Sequence, residues 1–156
     1  MNKFYFTIIF CLIFASSVLA NEIIGFAKVI DGDTLHIKLD KIRLHGIDAP
    51  EKQQKCSKFG TEYNCGLVSK KALTKKINKK IVSCEVQKKK DRYGRFIGIC
   101  FVGSINLNKW MTRSGYVIAY KRYSKDYIAD EEYAKKNKLG LWSGSFLQPE
   151  KWRKLN

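Results

Sequence analysis

The chain has 156 residues, 45% of them hydrophobic, which is about the length of one domain with enough apolar side chains for one core. It contains no internal repeat and no low-complexity linker, which excludes a repeat array and predicts one compact domain. Its 30 Lys and Arg against 14 Asp and Glu favour a polyanionic partner, but this charge alone does not distinguish nucleic acid from an anionic membrane or a cell-wall polymer.

The first twenty residues have the layout of a secretory signal peptide. Lys3 precedes an apolar run, and Val18 and Ala20 occupy the small-residue cleavage positions. The alternative is an uncleaved N-terminal anchor, but the apolar run is shorter than the roughly 20 residues of a membrane helix, which favours cleavage. We therefore expect residues 1–20 to be removed and residues 21–156 to form the mature domain. The protein is then expected to be exported, either secreted or periplasmic, without a stable membrane anchor.

The segment that follows, residues 23–47, is typical of β-strands separated by turns. Polar and apolar side chains alternate between residues 34 and 39, which is the pattern of a half-buried strand. Turns are predicted at Asp31-Gly32-Asp33 and around residues 39–41. The apolar positions of the alternation are Leu35, Ile37 and Leu39.

Acidic residues cluster in this part of a strongly basic chain. Asp31 and Asp33 lie in the DGD turn, and Asp48 and Glu51 flank a stiff Ala-Pro pair in IRLHGIDAPE. Turn formation alone is sufficient to explain an isolated DGD or a single loop carboxylate. Together, these carboxylates provide the oxygen ligands that a hard cation such as calcium accepts, although the acids are too few for an EF-hand loop.

Two arginines add groups that bind phosphate. Arg43 lies in the strand that leads into IDAPE, and Arg95 lies in the turn DRYGR. Taken alone, each is explained as a salt-bridge partner or a solvated charge. Guanidinium groups also bind phosphate oxygens and stabilise charge that grows on a five-coordinate phosphorus. With two metal-binding carboxylates and a third carboxylate as a base, these arginines are the groups that phosphodiester hydrolysis requires.

Four cysteines follow the predicted signal peptide, and an oxidising compartment predicts two disulfide bonds. The segments IVSCEV and FIGICFV form an antiparallel hairpin if the turn is centred on Arg92, which places Cys84 opposite Cys100. Cys56 and Cys65 are then left to pair. Zinc is the competing hypothesis, but these cysteines have no CxxC spacing.

Three helices are expected. The first runs from about residue 61 to residue 79, the second from 106 to 113, and the third lies in KDYIADEEYAKKNKLG. In the third, early acids and late lysines suit the helix dipole, with pairs Glu131–Lys135 and Glu132–Lys136, and Gly140 fits the stop position. Strands followed by helices predict an α+β domain built on a small antiparallel barrel.

The aromatic residues of the tail are expected to pack back on the core. Base stacking is the alternative for these side chains. They are Trp142, Phe146 and Trp152.

The motifs VIDGDT, IRLHGIDAPE, DRYGR, GYVIAYKRYS and KKNKLGLWSG, in this order, resemble the thermonuclease or micrococcal-nuclease family from about Val29 to Trp142. The resemblance implies an OB-fold five-stranded β-barrel with helices packed against it. It also implies Ca²⁺-dependent hydrolysis of DNA and RNA, and we expect the protein to act as a monomer. The four cysteines depart from the cysteine-free type enzyme and are similar to those of exported bacterial relatives.

The resemblance also implies a role for each matching position. Asp33 and Asp48 match the calcium carboxylates, and Ala49 stands where the family uses a backbone carbonyl ligand. Arg43 and Arg95 match the two catalytic arginines that bind phosphate.

The remaining matches concern the base, the nucleotide and the surroundings of the metal. Glu51 matches the carboxylate usually described as the general base, a role that has been disputed. Tyr93 matches a tyrosine that contacts a terminal phosphate, and Tyr120 matches a base-stacking tyrosine. Asp31 matches an acid beside the metal. Two rival hypotheses are a barrel that binds nucleic acid without cleaving it and a cell-envelope protein that binds an anionic polymer.

Overall fold

The computed structural model describes residues 21–156, and the predicted signal peptide lies outside the described residues. The strands are β1 (Asn21–Val29), β2 (Thr34–Ile37), β3 (Asp40–Leu44), β4 (Ile47–Asp48), β5 (Lys55–Lys58), β6 (Thr61–Asn64), β7 (Ile81–Val86), β8 (Phe96–Val102), β9 (Ile105–Asn106) and β10 (Ile118–Ala119). The helices are α1 (Cys65–Ile77), α2 (Leu107–Arg113), α3 (Ile128–Lys136) and α4 (Pro149–Leu155), with a 3-10 turn at Gly140–Ser143.

Five strands close a barrel in the order β3-β2-β1-β7-β8, because β3 also pairs with β8. This confirms the α+β class and the OB-type barrel. The expectation of a strictly antiparallel barrel is wrong, because β3 runs parallel to β8, with Ile42 opposite Phe96 and Leu44 opposite Gly98. The reason is topological. Closing a barrel of five strands brings together two strands that no hairpin connects, so their relative direction is free to be parallel.

The hairpin of β7 and β8 has the predicted register. Cys84 lies opposite Cys100 and Glu85 lies opposite Ile99. Cys84 and Cys100 form a disulfide bond with a Cα–Cα distance of 4.1 Å, and Cys56 and Cys65 form a second with a Cα–Cα distance of 5.7 Å. Both expected pairs are therefore present in the structure.

The alternating pattern predicts that Leu35, Ile37 and Leu39 face the core, and this is correct for the first two. Leu35 and Ile37 are fully buried in the barrel, whereas Leu39 is 97% exposed. The alternation ends early because the chain turns at Lys38, which has a positive φ of 53°, before β3 begins at Asp40.

The first helix begins later than predicted. Residues 61–64 form β6, which pairs with β5, and α1 begins at Cys65 after Asn64, whose side chain accepts a hydrogen bond from the N–H of Leu67. Asn78, in the left-handed conformation, caps the other end of α1. The second helix ends at Arg113 as predicted but begins one residue later, at Leu107, with Asn106 as its N-cap.

The third helix ends at Lys136 with Asn137 as its C-cap, so the expectation that Gly140 ends it is wrong. Glu131 pairs with Lys135 as predicted, but Glu132 pairs with Lys135 at 2.8 Å instead of with Lys136. A fourth helix, α4, was not predicted, and it carries the end of the chain back over the barrel.

The main core fills the barrel and the space beneath α1 and α2, with Leu73, Leu107 and Met111 fully or almost fully buried. A second cluster surrounds the disulfide between Cys56 and Cys65, and the tail residues Trp142 and Phe146 pack against it. The prediction that the tail packs back is thus correct for these two aromatic side chains. Within residues 21–156, no helix has the length and apolar character that a membrane span requires.

Candidate active site

A cleft of about 1130 Å³ lies at one end of the barrel. Its walls come from the β1–β2 turn, from β3, from the loop after β4, from the β7–β8 hairpin and from α4. The predicted site residues that line it are Asp31, Asp33, Arg43, Ala49, Glu51, Tyr93, Arg95 and Tyr120.

Arg43 joins two buried carboxylates at the base of the cleft. Its side chain lies on β3, opposite Thr34, and forms an ion pair with Asp33 in the β1–β2 turn. The same guanidinium donates to Asp48 Oδ1 at 3.0 Å, where Asp48 lies on β4 and is held by pairing with Ile118 of β10. Barrel strands thus place the two predicted metal carboxylates around one arginine.

The charge of each group in this trio depends on the other two. Burial alone would raise the pKa of Asp33, but Arg43 and the N–H of Ala49, which donates to Asp33 Oδ2 at 2.9 Å, outweigh burial and lower it. Burial alone would lower the pKa of Arg43, and the two carboxylates outweigh it and raise it. For Asp48, burial, with the charge of Asp33, outweighs the two arginines and raises the pKa. Asp33 and Arg43 are therefore held in their ionised forms with little access to water, whereas Asp48 takes up a proton more readily.

Helix α1 packs directly against both loops that carry the carboxylates. A Cβ atom added to Gly66 would lie 1.8 Å from the carbonyl oxygen of Glu51. A Cβ atom added to Gly32, in the DGD turn, would lie 2.0 Å from Ser69 Oγ of α1. These contacts explain why glycine occupies both positions, and they fix the two loops against a rigid element.

Glu51 lies on a loop that Gln54 organises. Gln54 is fully buried, its Oε1 accepts from the N–H of Glu51 at 3.1 Å, and its N–H donates to the Glu51 carbonyl at 2.8 Å. Pro50 restricts the backbone immediately before Glu51. The carboxylate of Glu51 is thereby directed toward the cleft. Gln54 itself was not predicted, because no motif in the sequence marks it as part of the site.

Arg95 approaches the cleft from the β7–β8 hairpin and is held by Asp91. The Asp91 carboxylate accepts from Arg95 Nε at 2.9 Å and from the backbone N–H groups of Tyr93 and Arg95, each also at 2.9 Å. Burial alone would raise the pKa of Asp91, but these hydrogen bonds outweigh burial and lower it. Asp91 is the first residue of the DRYGR motif, and its spacing of four from Arg95 is the signal that could have identified it as an anchor.

The two predicted tyrosines lie at different depths. Tyr93 is 61% exposed, with the guanidinium carbons of Arg92 and Arg95 at 4.8 and 5.1 Å from its ring centre. Tyr120 is more buried, and its ring lies 6.0 Å from the guanidinium carbon of Arg43 and 4.7 Å from the ring of Tyr123. Both rings therefore border the arginines that are expected to bind phosphate.

The donor set fits a hard cation. Asp33 and Asp48 present buried carboxylate oxygens next to Ala49, and burial together with the charge of Asp33 raises the pKa of neighbouring Asp31 to about 7. Carboxylates that crowd in this way are stabilised by a positive charge of the kind that calcium supplies. Within residues 21–156, no three or more His, Cys, Asp and Glu side chains form a complete metal cage, so two carboxylates would need completion by backbone and water oxygens.

A third arginine, absent from the sequence predictions, also enters the cleft. Arg153 of α4 donates to both oxygens of Asp48, at 3.1 and 3.0 Å, and to Glu51 Oε1 at 2.7 Å. Its position 102 residues after Glu51 left no local pattern by which the sequence could reveal this contact.

The structure thus brings Asp33, Asp48 and Arg43 into direct contact and links Glu51 to them through Arg153. Arg95 lines the same cleft but contacts Asp91.

Comparison with known protein families places the chain in one of them. Residues 41–144 match the model of the staphylococcal nuclease homologue family, which is more than half of the chain. The protein therefore belongs to the staphylococcal nuclease family, as the motifs predicted.

Individual relatives agree with this assignment. An uncharacterized endonuclease of Escherichia coli O157:H7 is 33% identical over 98% of this chain and 98% of its own length. The succinoglycan biosynthesis protein ExoI of Rhizobium meliloti is 38% identical over 84% of this chain and 69% of its own length. A micrococcal nuclease of Shigella flexneri is 32% identical over 81% of this chain and 78% of its own length.

Proposed function

We propose that this protein is a calcium-dependent nuclease that hydrolyses phosphodiester bonds within DNA and RNA. Family membership supports nuclease activity and the endonuclease class. The observation that carries the proposal is the cleft in which Arg43 holds two buried carboxylates while Glu51 and Arg95 line the same walls.

In this proposal the arginines bind and stabilise the phosphate. Arg43 and Arg95 are both partly buried, at 15% and 23% side-chain exposure, so little water screens their charge. The N–H groups that the carboxylates leave free donate to the non-bridging oxygens, and these hydrogen bonds strengthen as negative charge grows in the transition state. Asp91 holds the fork of Arg95 in place before substrate arrives.

Asp33, Asp48 and the backbone of Ala49 would hold the metal. When bound there, calcium supplies a Lewis acid that polarises a phosphate oxygen. Glu51, half-exposed at 36% and directed into the cleft, orients a water molecule and accepts its proton.

The nucleic acid itself is bound by charge and by aromatic rings. The excess of lysine and arginine attracts the phosphate backbone, and Tyr93 and Tyr120 border the phosphate site where a terminal phosphate and a base would lie. The anionic-polymer hypothesis gives no reason for two buried carboxylates to share an arginine in this cleft.

We also propose that the protein works outside the cytoplasm. Two disulfide bonds, one of them between the fully buried Cys84 and Cys100, suit an oxidising compartment, in agreement with the predicted signal peptide.

Cleavage of linear DNA and RNA, measured with Ca²⁺ and with a calcium chelator, tests the proposal. We expect internal cleavage of both substrates with Ca²⁺, loss of cleavage in chelator and recovery when excess Ca²⁺ is added back. Full activity in chelator, or activity that requires zinc instead, would contradict it. Binding of DNA without cleavage under every metal condition would favour a barrel that has lost catalysis.

A further inference from the structure

The end of the chain covers the carboxylates that the metal would need. The guanidinium of Arg153 takes both oxygens of Asp48 and one oxygen of Glu51, at distances between 2.7 and 3.1 Å. Asp48 is fully buried, and Arg153 shares its Oδ1 with Arg43 and also binds its Oδ2.

A cation and this guanidinium compete for the same oxygens. A carboxylate has about four lone-pair sites, and three of those on Asp48 accept from the two arginines. A divalent ion bound to Asp48 would also be repelled by the positive charge of Arg153 at contact distance. The one lone-pair site that remains on Asp48 is on Oδ2, beside Arg153, so a cation binds this carboxylate more favourably once Arg153 has withdrawn.

A cation can take the place of the α4 contact. Helix α4 has only 7 residues, too few for a helix that is stable in water by itself, so its docking depends on its contacts. One is the exposed pair of Glu150 with Arg122 at 3.2 Å, which contributes little to stability. Another is Arg153 on the buried carboxylate of Asp48, and breaking it alone would leave that charge unpaired, so it opens when a divalent cation supplies the positive charge instead.

We propose that α4 is an inhibitory strap, in which Arg153 occupies the metal carboxylate Asp48 and the base Glu51 until a divalent cation displaces it. This inference rests on the proposed function, because it assigns the cation to Asp48. It makes calcium both the cofactor and the signal that uncovers the site.

Calcium titration of the folded domain, followed by calorimetry without substrate, tests the strap. Arg153→Ala is expected to bind Ca²⁺ more tightly than the parent. If the closed arrangement is populated about nine-tenths of the time, the gain is about tenfold. Arg153→Lys, which keeps the charge and loses the bidentate fork, is expected to lie between them. Lys151→Ala is the matched control, because it removes one positive charge from an exposed position of the same helix.

Hydrogen exchange of the parent protein provides a second measurement that needs no variant. We expect the amides of residues 150–155 to exchange faster when Ca²⁺ is added, while those of the β7–β8 hairpin do not change. Slower or unchanged exchange in α4 would overturn the strap even if the variants fail to fold.

The outcomes separate the strap from the proposed function. If Arg153→Ala binds Ca²⁺ as the parent does, or more weakly, while both require Ca²⁺ for cleavage, the strap is wrong and the nuclease proposal stands. If no calcium binds to any of the proteins, both the strap and the calcium site are wrong.

Discussion

At the scale of single residues, Arg43 and Arg95 are each held by carboxylates, and the partner determines what the arginine is free to do. Arg43 lies between two buried carboxylates and is fixed. Arg95 is held along one edge by Asp91, through Nε and one terminal nitrogen, which leaves the other terminal nitrogen for a ligand. Anchoring of this kind lowers the entropy that is lost when phosphate binds.

Replacing Arg95 with lysine tests whether its fork takes part in catalysis. The positive charge remains but the planar donors are lost, so we expect kcat to fall by about 10²-fold or more while KM changes much less. Steady-state cleavage of an oligonucleotide measures both constants. Arg113→Lys is the control, because Arg113 pairs with Asp130 outside the cleft. Activity of Arg95→Lys close to that of the parent would show that Arg95 is a surface charge.

The residues that the sequence could reveal are those in short, local motifs. DGD, IDAPE and DRYGR place their acids and arginines within a few positions of one another, so type and spacing identified them. Gln54 is held by Leu147, whose carbonyl accepts from its side chain at 2.6 Å, and Arg153 likewise acts through contacts that only the fold creates. Arg153 meets Asp48 across 105 residues, and no local pattern carries that information.

At the scale of elements, Glu131 connects α3 to the strand that supports the site. It is buried, and its carboxylate accepts from the N–H of Ala119 on β10 at 2.9 Å and from Lys121 and Lys135 at 2.8 and 2.7 Å. Because β10 pairs with β4, which carries Asp48, this carboxylate supports the position of a predicted metal ligand through two strands.

The stability of this connection is expected to depend on pH. Burial alone would raise the pKa of Glu131 in the folded protein, but the hydrogen bonds from Lys121, Lys135 and Ala119 outweigh burial and lower it. The pKa of a glutamate in the unfolded chain is about 4.3. Because the pKa of Glu131 is lower in the folded protein, its stabilising effect is fully present above about pH 4.3 and is lost as the pH falls through the pKa of the folded state.

Glu131→Gln removes this titration. We expect it to reduce the free energy of unfolding by about 2 kcal/mol at pH 7, and by progressively less as pH falls below about 4.3. Urea unfolding across this range measures the difference. Glu132→Gln is the matched control, because Glu132 is 57% exposed and meets only one of the same lysines. A difference between parent and Glu131→Gln that stays constant from pH 7 to pH 3 would contradict this account.

Elements with strong local signals were predicted well, and elements specified by distant contacts were not. The β7–β8 register followed from one turn and a pair of cysteines, and Asn106 marked the start of α2. Residues 61–64 form a strand because they pair with β5 next to the disulfide between Cys56 and Cys65, which overrides the helical pattern that follows. The parallel pairing of β3 with β8 and the docking of α4 likewise depend on tertiary contacts.

At the scale of the whole molecule, a basic surface surrounds an acidic centre. The positive charge attracts a polyanion over long distances, and its effect weakens as salt rises. The buried carboxylates Asp33 and Asp48 lie at the cleft, where arginines compensate their charge. In the proposed function the basic surface attracts the nucleic acid and Glu51 accepts the proton, which makes binding and cleavage separable by substitution of Glu51.

The central claim is that this cleft cleaves nucleic acid with Glu51 as the base, and Glu51→Gln tests it most directly. The variant keeps the shape of the side chain but removes the base, so cleavage is expected to fall by about 10²–10⁴-fold. Binding of single-stranded DNA is expected to persist and to weaken with salt as in the parent, because the lysines and arginines are unchanged. Glu62→Gln, which removes an exposed carboxylate on β6 outside the cleft, is the control.

The decisive measurement is the ratio of cleavage rate to binding affinity for Glu51→Gln and the parent at the same salt and calcium concentrations. The account predicts that this ratio falls by at least about 10²-fold with affinity nearly constant. An unchanged ratio would contradict it: if cleavage and binding fell together, Glu51 would hold the loop or the metal, and if neither fell, Glu51 would be a surface carboxylate.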